Sequence, residues 1–511
     1  MKKNDLTNDS QLRQKLTWVF FILYFLAVFI LVVEHEPWED ELHAWCIARD
    51  LSVTEILYQM RYEGHFALWH LLIKPFTTGG GVIILMNFVS FLLVSASVAL
   101  MLSSRAFSWS LKIALMLSCP ILYWFPVIAR CYALIPLSLC LLAAVYPVRL
   151  KRPFAYALAL VLLVHTHAFM EGLAGILGVF FAWELIRRSW RIGGRSLWIA
   201  AGSLLLIGLG VATAFLQVAP AFGASPVTSD AMDSFFANPG SIPAWIWKVL
   251  MMLPCCFAEM HCMFLGDCPV IVLFYVCLAA AVIQLFFTRG RAGVIFLAGF
   301  LWQILFGALL YSFALQRIYL PFLILVFCFA LPIRKKSLRN LKNLRLKKLL
   351  TGMIPVMTLA LMTWPDAFRY VFLDLTESFS NQWLAARLIE SELPADAKIV
   401  VFPDILVTGT LRAYLPDRIF YRCSDGKPFR IFCTAGKMPE KLDSDLLESY
   451  LGSEKEVYLL FQVEASLYYQ LPLDQKTYEI GDFVMDSVFV TAPVSFFPAY
   501  EDYEVYRLTR K

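Results

Sequence analysis

Long stretches without a single charge constrain this chain more than any other feature. One runs from Thr17 to Val33 and another from Leu197 to Phe222. An α-helix rises about 1.5 Å per residue, so about 20 apolar residues cross the hydrocarbon core of a bilayer. Charged residues make up only 16% of the chain, against roughly 25% in a soluble domain. The sequence therefore predicts an integral membrane protein with several spans.

Eleven apolar segments predict about eleven transmembrane helices. The first follows basic residues and ends in Glu34-His35-Glu36-Pro37. It has no small-residue cleavage site, which indicates a retained signal anchor rather than a signal peptide. The predicted spans are 17–33, 81–102, 110–125, 127–147, 153–166, 168–186, 197–219, 269–287, 293–313, 317–333 and 349–365.

Basic residues are distributed unevenly between the loops. If residues 1–16 are cytoplasmic, this tail and the inner loops hold 23 Lys and Arg, whereas the outer loops before residue 366 hold six when Arg130 and Arg317 at the outer span ends are included. Loops rich in Lys and Arg stay on the cytoplasmic side, so we expect a multi-pass protein with its N-terminus inside. Residues 244–264 would break this pattern if they spanned, and we therefore predict an interfacial or re-entrant helix there.

Residues 366–511 have ordinary charge and contain no apolar run of span length. Val400–Phe402, Val457–Phe461 and Val488–Val490 read as strands, and Ser378–Glu392 reads as a helix. This pattern predicts a small α/β domain, and an odd number of spans places it outside the cell.

The predicted fold class is a polytopic α-helical membrane protein with a C-terminal α/β extracytoplasmic domain. Residues 17–365 form the transmembrane domain, which includes a first outer loop at 34–80. The net charge of +5 is small, and no nucleic-acid partner is expected.

The first outer loop concentrates residues that do chemistry. It holds eight carboxylates and four of the seven histidines. Pro37 suits the first turn of a helix, on which Asp40 would share one face with Glu36 and with His43. Asp40 and Glu41 would point about 100° apart. One carboxylate could then act as a base on a hydroxyl while the other holds a metal ion or a neighbouring helix. Alternatively, the acids simply favour the positive end of the helix.

Other polar residues lie near the predicted outer boundary. Arg130 lies between two apolar runs on the side where basic residues are scarce, and Arg317 repeats the pattern. Ionisable groups at membrane depth are costly and usually functional, and guanidinium binds phosphate in a bidentate way. Both are candidate phosphate ligands, although snorkelling towards lipid headgroups is the alternative. His65, which follows a glycine, is a further candidate, and Lys74 is a weaker one.

A second group of candidates lies at a predicted outer turn, in His165-Thr166-His167. His167 and Glu171 could share a helical face, as metal ligands do, but the alternatives are a hydrogen bond to a phosphate or a cap of the turn. Cys131 lies in an apolar run and is predicted to be a packing residue.

These residues, in this order, resemble the GT-C superfamily of membrane glycosyltransferases. The likeness is to the protein mannosyltransferase and aminoarabinose transferase branch. The Asp-Glu pair of that branch corresponds to Asp40-Glu41, and its acid-and-histidine element to Glu63-Gly64-His65-Phe66-Ala67-Leu68-Trp69. The prolines of that element are missing here. The family's Arg-x-Tyr-x-Leu element corresponds to Arg130-Cys131-Tyr132-Ala133-Leu134.

The resemblance implies a polyprenyl-phosphate-linked sugar as donor and inversion at the anomeric carbon. It implies Asp40 as general base, Arg130 and Tyr132 near the donor phosphate, and Glu63 as an accessory residue. The acceptor would be a hydroxyl of a glycan, lipid or protein, and the membrane would be the plasma (inner) membrane. Some relatives use a divalent metal ion, for which Asp40, His167 and Glu171 are the candidates.

Two other classes of function stay open on the sequence. A transporter or flippase of a lipid-linked glycan would more often show paired halves with internal repeats, and none is found. An acyltransferase would need a histidine well inside the bilayer, whereas the histidines here lie in loops or at boundaries; a glycan polymerase is a further alternative.

Overall fold

The structure of the protein is a computed structural model, and the chain divides into two compact units. The first consists of Met1–Val32, Gly64–Trp69 and Asn87–Val371, and the second of Val33–Glu63, His70–Met86 and Phe372–Lys511. The structure describes residues 3–63, 65–78, 81–218, 242–255, 268–310, 315–333, 353–403, 410–429, 438–471, 476–494 and 501–511.

Helices dominate the described residues. In chain order they are α1 Lys3–Glu34, α2 Glu39–Asp50, α3 Val53–Glu63, α4 Leu68–Ile73, α5 Ile84–Ser103, α6 Trp109–Met116, α7 Leu134–Val145, α8 Pro153–Val164, α9 Glu171–Ile192, α10 Arg195–Val218, α11 Ile242–Cys255, α12 Cys268–Arg289, α13 Arg291–Leu309, α14 Leu320–Ala330, α15 Ile354–Met362, α16 Trp364–Thr376, α17 Gln382–Glu392, α18 Ser444–Leu451 and α19 Val463–Tyr468.

Among the described residues, seven helical segments are long and apolar enough to cross a membrane. They are Gln14–Glu34, Ile84–Ser103, Cys131–Val148, Ala168–Ile192, Arg195–Val218, Pro269–Arg289 and Arg291–Leu309. Two shorter apolar helices, Pro153–Val164 and Gln316–Ala330, match further predicted spans. Large side chains such as Trp198 and Leu216 are well exposed on these helices, as expected for surfaces that face lipid.

The remaining two predicted spans are not continuous helices, so the count of eleven is not confirmed. The segment 110–125 contains α6 and then a separate π-helical turn, Pro120–Trp124. The segment 349–365 contains α15, and α16 then begins at Trp364, next to Pro365. Proline lacks an N–H donor and clashes with the preceding turn, so helices restart at it. Residues 349–352 lie outside the described part of the chain.

The predicted interfacial segment 244–264 is described only in part. Helix α11 covers its first half, and residues 256–264 lie outside the described residues. The interfacial location stays a prediction.

The second unit is built on a sheet that has seven strands in the part of the chain that the structure describes. Its strands are β1 Ile399–Phe402, β2 Phe420–Arg422, β3 Pro428–Phe429, β4 Glu456–Gln462, β5 Thr477–Ile480, β6 Phe483–Val490 and β7 Tyr503–Arg510. The order is β3-β2-β1-β4-β7-β6-β5. Strand β1 is parallel to β2 and β4, and the other pairs are antiparallel.

Alternation along the strands gives the sheet two apolar faces. Val400 and Phe402 pack towards α18 on one face, and Ile399 and Val401 pack towards α17 on the other. Successive side chains of a strand point to opposite faces, so apolar residues in sequence serve both layers. The predicted α/β character of the tail and its three predicted strands are confirmed. The predicted helix begins later, at Gln382 instead of Ser378.

Candidate functional site

The first unit gathers cationic and aromatic side chains at the ends of its apolar helices. Arg130 precedes the short helix Cys131–Ala133 and has an extended backbone. Its Nη2 lies 3.3 Å from Nε2 of His65. The His65 ring centroid is 5.0 Å from that of His167, and the ring of Tyr132 stacks on His167 at 4.9 Å. We call His65, Arg130, Tyr132, His167 and Arg317 the cationic cluster.

The segment that carries His65 is held within the first unit by its neighbours. The N–H of Ala67 donates to Oε1 of Gln217 at 2.8 Å. The ring of Phe66 lies 5.9 Å from that of His165, which in turn contacts the Thr213 hydroxyl at 3.2 Å. These contacts hold residues 66–67 against the end of α8 and against α10.

Hydrogen bonds define which nitrogen of each histidine carries a proton. A guanidinium group can only donate, so Nε2 of His65 accepts from Arg130. The backbone N–H of Phe169 donates to Nδ1 of His167 at 3.2 Å. A neutral ring therefore presents N–H at Nδ1 of His65 and at Nε2 of His167.

The surroundings keep His167 neutral. Burial lowers the pKa of His167 well below its ordinary value, and the positive charges of Arg317 and Arg130 lower it further. The cluster thus offers two guanidinium groups and neutral N–H donors, with Arg130 and Arg317 only half-buried. Such a donor set suits an anion with several oxygens, above all a phosphate.

A metal ion does not suit this cluster. Among the described residues, His65, Cys131 and His167 each have one potential ligand atom within 4.8 Å of the others. A neutral imidazole has a single lone pair. The lone pair of His65 accepts from Arg130 and that of His167 accepts from Phe169. Metal ligation would break both bonds beside two positive charges. Glu171, predicted with His167 and Asp40 for a metal ion, is not in this group.

The second unit gathers acidic residues around α2. The helix begins at Glu39 with Trp38 as N-cap, so the prediction that Pro37 begins it is wrong by two residues. The side chain of Glu41 accepts from the Trp38 N–H at 3.2 Å, which satisfies a donor at the helix start. Glu36 therefore precedes the helix and does not share a helical face with Asp40. Its carboxylate instead accepts from the N–H groups of Phe379 and Ser380.

A buried histidine joins two carboxylates in this unit. Nε2 of His35 lies 2.9 Å from Oε2 of Glu41, and Nδ1 lies 3.1 Å from both oxygens of Asp374. Burial alone would lower the pKa of His35, but the negative charges of Asp374 and Glu41 outweigh it and raise the pKa to about 10. His35 is therefore charged at neutral pH, and its imidazolium bridges α2 and α16.

A carboxyl group from the far end of the chain binds the start of α2. Oε1 of Glu501 accepts from the Glu39 N–H at 3.0 Å, and Oε2 accepts from the Ser380 hydroxyl at 2.5 Å. Burial raises the pKa of Glu501 to about 8, against the effect of these hydrogen bonds and with a further contribution from the charge of Asp40. Asp40 itself is half-buried, whereas Glu41 and Glu501 are fully buried.

Two other predicted site residues, Glu63 and Lys74, make hydrogen bonds within the second unit. Glu63 accepts from His43 at 2.9 Å and from Gln59 at 2.7 Å. Nζ of Lys74 donates to the carbonyl oxygens of Ala48 and Leu51 at 2.9 and 2.6 Å. Because these are the last carbonyls of α2, Lys74 caps that helix.

Comparisons with known proteins add little to this geometry. No protein-family model and no curated protein matches the chain. One matching solved structure is described as "Crystal Structure of ArnT from Cupriavidus metallidurans bound to Undecaprenyl phosphate". The match covers 96% of this chain and 97% of that chain, at 13% sequence identity and a TM-score of 0.49. At this identity and TM-score the match shows neither a family nor a function for this chain.

The predicted site residues thus fall into two groups. His65, Arg130, Tyr132, His167 and Arg317 come together in the first unit, with His165 beside them through Phe66. Asp40, Glu41, Glu63 and Lys74 belong to the second unit. Sequence reasoning missed Asp374 and Glu501 because they follow Glu41 and Asp40 by more than 300 residues, and neither lies in a motif.

Proposed function

We propose that this protein is an inverting glycosyltransferase of the GT-C type. It would move a sugar from a polyprenyl-phosphate-linked donor to an acceptor hydroxyl on the non-cytoplasmic side of the membrane. The observation that carries the proposal is the cationic cluster: two arginines beside two histidines whose lone pairs are already used. The proposal is compatible with a hexosyl or mannosyl donor.

The cluster supports a phosphate leaving group. When the bond between the anomeric carbon and the phosphate oxygen breaks, negative charge develops on a phosphate monoester. Fixed guanidinium groups stabilise such charge most in a site that excludes water. Arg130 and Arg317 supply the positive charge. The neutral N–H groups of His65 and His167 can donate hydrogen bonds to the phosphate oxygens without adding further charge.

Of the predicted acidic pair, Asp40 is the better candidate for the base. Glu41 is fully buried, accepts from the helix start and pairs with charged His35. Asp40 is only half-buried, and its neighbour Glu501 has a raised pKa. We therefore assign Asp40 to proton removal and Glu41 to holding the helix that carries it.

The proposed step is a single displacement. The acceptor hydroxyl gives its proton to the Asp40 carboxylate as its oxygen attacks the anomeric carbon. The bond to the phosphate oxygen breaks, and the polyprenyl phosphate leaves with the electron pair. The anomeric carbon inverts, and no covalent intermediate forms on the enzyme.

Turnover of a defined donor tests the proposal. Membranes that contain the full chain would be supplied with a radiolabelled polyprenyl-phosphate hexose and, separately, with a labelled nucleotide sugar. We expect label transfer from the lipid donor only, with release of polyprenyl phosphate. The matched controls are Arg130→Ala, which should lose about 10²-fold or more in rate, and Arg152→Ala, an exposed arginine outside the cluster. Transfer from the nucleotide sugar alone, or equal rates for both variants, would reject the proposal.

A further inference from the structure

Two adjoining cavities lie at the other end of the first unit, on either side of the end of α5 at Ser103. The larger, of about 890 Å³, is lined by the polar and charged residues Gln14, Thr17, Ser108, Arg105 and Lys112 together with aromatic rings. The smaller, of about 310 Å³, is lined almost wholly by apolar residues of α5, α7 and α14. Both share Ser103, Ser104 and Phe107.

The larger cavity is positively charged. Lys112 is buried, donates to the Leu102 carbonyl and lies 4.6 Å from the centre of the Trp109 ring. Arg105 is exposed at the cavity wall. A buried ammonium group is costly, and a negatively charged ligand would offset that cost. No carboxylate of the described residues lines this cavity.

The smaller cavity continues from the charged one into apolar surroundings. Val98, Met101, Leu139, Leu323 and Phe327 line it. A ligand that filled both spaces would need an anionic head and an apolar chain. By the distribution of basic residues, the end of α5 at Ser103 faces the cytoplasm. Basic recesses at this level of a membrane protein suit phospholipid headgroups.

We propose that these two cavities form a binding site for an anionic phospholipid of the cytoplasmic leaflet. Its phosphate lies near Arg105 and Lys112, and one acyl chain enters the apolar cavity past Phe107. The site is separate from the cationic cluster and does not depend on the glycosyltransferase proposal.

Native mass spectrometry of the detergent-solubilised full chain tests this proposal. Phosphatidylglycerol and phosphatidylcholine of equal chain length would be titrated against wild type, Arg105→Gln and the exposed control Arg152→Gln. We expect the first phosphatidylglycerol to bind more tightly than phosphatidylcholine. Arg105→Gln should weaken only that event, by about fivefold, which is the contribution of one basic residue near a membrane surface. Equal affinity for both lipids, or equal effects of the two variants, would overturn the proposal.

Chain length and competitors identify the source of the phosphate. Ala143→Phe, which narrows the apolar cavity, should weaken long-chain phosphatidylglycerol and leave a six-carbon analogue unaffected; an unchanged melting temperature would show that the variant folds. Displacement by inorganic phosphate or by a polyprenyl phosphate at lower concentration than phosphatidylglycerol would contradict the assignment to a phospholipid.

Discussion

The pKa of a buried histidine is shifted in opposite directions in the two units. In the first unit His167 lies near Arg130 and Arg317, and its pKa is well below the ordinary value. In the second unit His35 lies between Glu41 and Asp374, and its pKa rises to about 10. Both rings lose hydration, which alone disfavours the charged form. The neighbouring charges therefore decide the direction of each pKa shift. At His167 the arginines add to the effect of burial, and at His35 the carboxylates oppose it and outweigh it.

The opposite pKa shifts indicate different roles for the two histidines. A neutral histidine among arginines donates a hydrogen bond without competing for a proton, which suits recognition of an anion. A charged histidine between carboxylates joins segments that are far apart in sequence, which suits positioning. The acidic groups near α2 therefore cannot all be bases, since most of them are engaged in holding the helix.

The largest effect should come from removing the proposed base. We expect Asp40→Asn to lower the transfer rate by about 10²- to 10⁴-fold, because an amide cannot accept the proton. Glu41→Gln should lower it by less than about tenfold once the rate is divided by the amount of folded protein. Activity in membranes, normalised by immunoblot, distinguishes the two. An Asp40→Asn variant with wild-type turnover would remove Asp40 from the mechanism.

Next in size is the cost of breaking the His35 bridge. We expect His35→Gln to destabilise the protein by about 3–5 kcal/mol, since it leaves two buried carboxylates without their cation. A double-mutant cycle with Asp374→Asn should show coupling of about 1–3 kcal/mol. Thermal unfolding of the purified chain measures both, with His165→Gln as control. Additive effects in the cycle would show that the two side chains act independently.

The same bridge predicts a pH dependence with a definite sign. The folded pKa of about 10 lies above the ordinary 6.5, so the folded state holds the proton more tightly. The contribution to stability is complete below pH 6.5 and is lost as the pH rises through 10. The difference in melting temperature between wild type and His35→Gln should therefore shrink between pH 7 and 10. A difference that grew over this range would contradict a charged His35.

A smaller effect is expected at Glu501. Because its pKa is raised to about 8, its favourable contribution is complete below pH 4.5 and is lost as the pH rises through 8. Glu501→Gln, which resembles the protonated form, should be close to neutral at pH 4 and stabilising at pH 9, where the buried wild-type carboxylate is charged. Glu501→Ala should cost about 1–3 kcal/mol at pH 4, because it leaves the Glu39 N–H without its acceptor, and less at pH 9, where it also removes a buried charge. Unfolding curves at both pH values would show whether the glutamine variant instead destabilises at pH 9.

The smallest effect is expected at Lys74. Its ammonium group caps α2, so Lys74→Met should cost about 1 kcal/mol of stability and leave the turnover of folded protein nearly unchanged. If Lys74 were a ligand of the donor phosphate, turnover would fall at least about tenfold with little change in stability. Melting temperature and rate, measured on the same preparation, decide between these roles.

Much of the architecture could be predicted because lipid imposes simple constraints. A long run without charge, such as Leu197–Phe222, is typical of a membrane-spanning helix, and α10 covers most of it. Alternating and continuous apolar runs likewise located β1, β4 and β6. The sequence analysis predicted 110–125 and 349–365 as continuous helices because it considered apolar composition alone. Pro120 and Pro365 lack the N–H donor that a continuous helix needs, and a new helical segment begins at each.

The cationic cluster was only partly predictable. Arg130 and Arg317 could be found because basic residues are scarce on the side that the sequence predicts to be the outer one, and a charge at membrane depth is costly. Their convergence with His65 and His167 required the fold. His35 joins Glu41 to Asp374, and Glu501 contacts the start of α2. These contacts join residues 333 and more positions apart, and a single sequence gives no signal for such pairs.

Binding of a polyprenyl phosphate to the purified full chain tests the central claim most directly. Affinity would be compared for wild type, Arg130→Lys, Arg130→Ala and the exposed control Arg152→Ala at fixed ionic strength. We predict about a tenfold or greater loss for Arg130→Ala, a smaller loss for Arg130→Lys, which keeps the charge but not the bidentate geometry, and none for Arg152→Ala. Wild-type affinity in Arg130→Ala would show that the cationic cluster does not hold the phosphate.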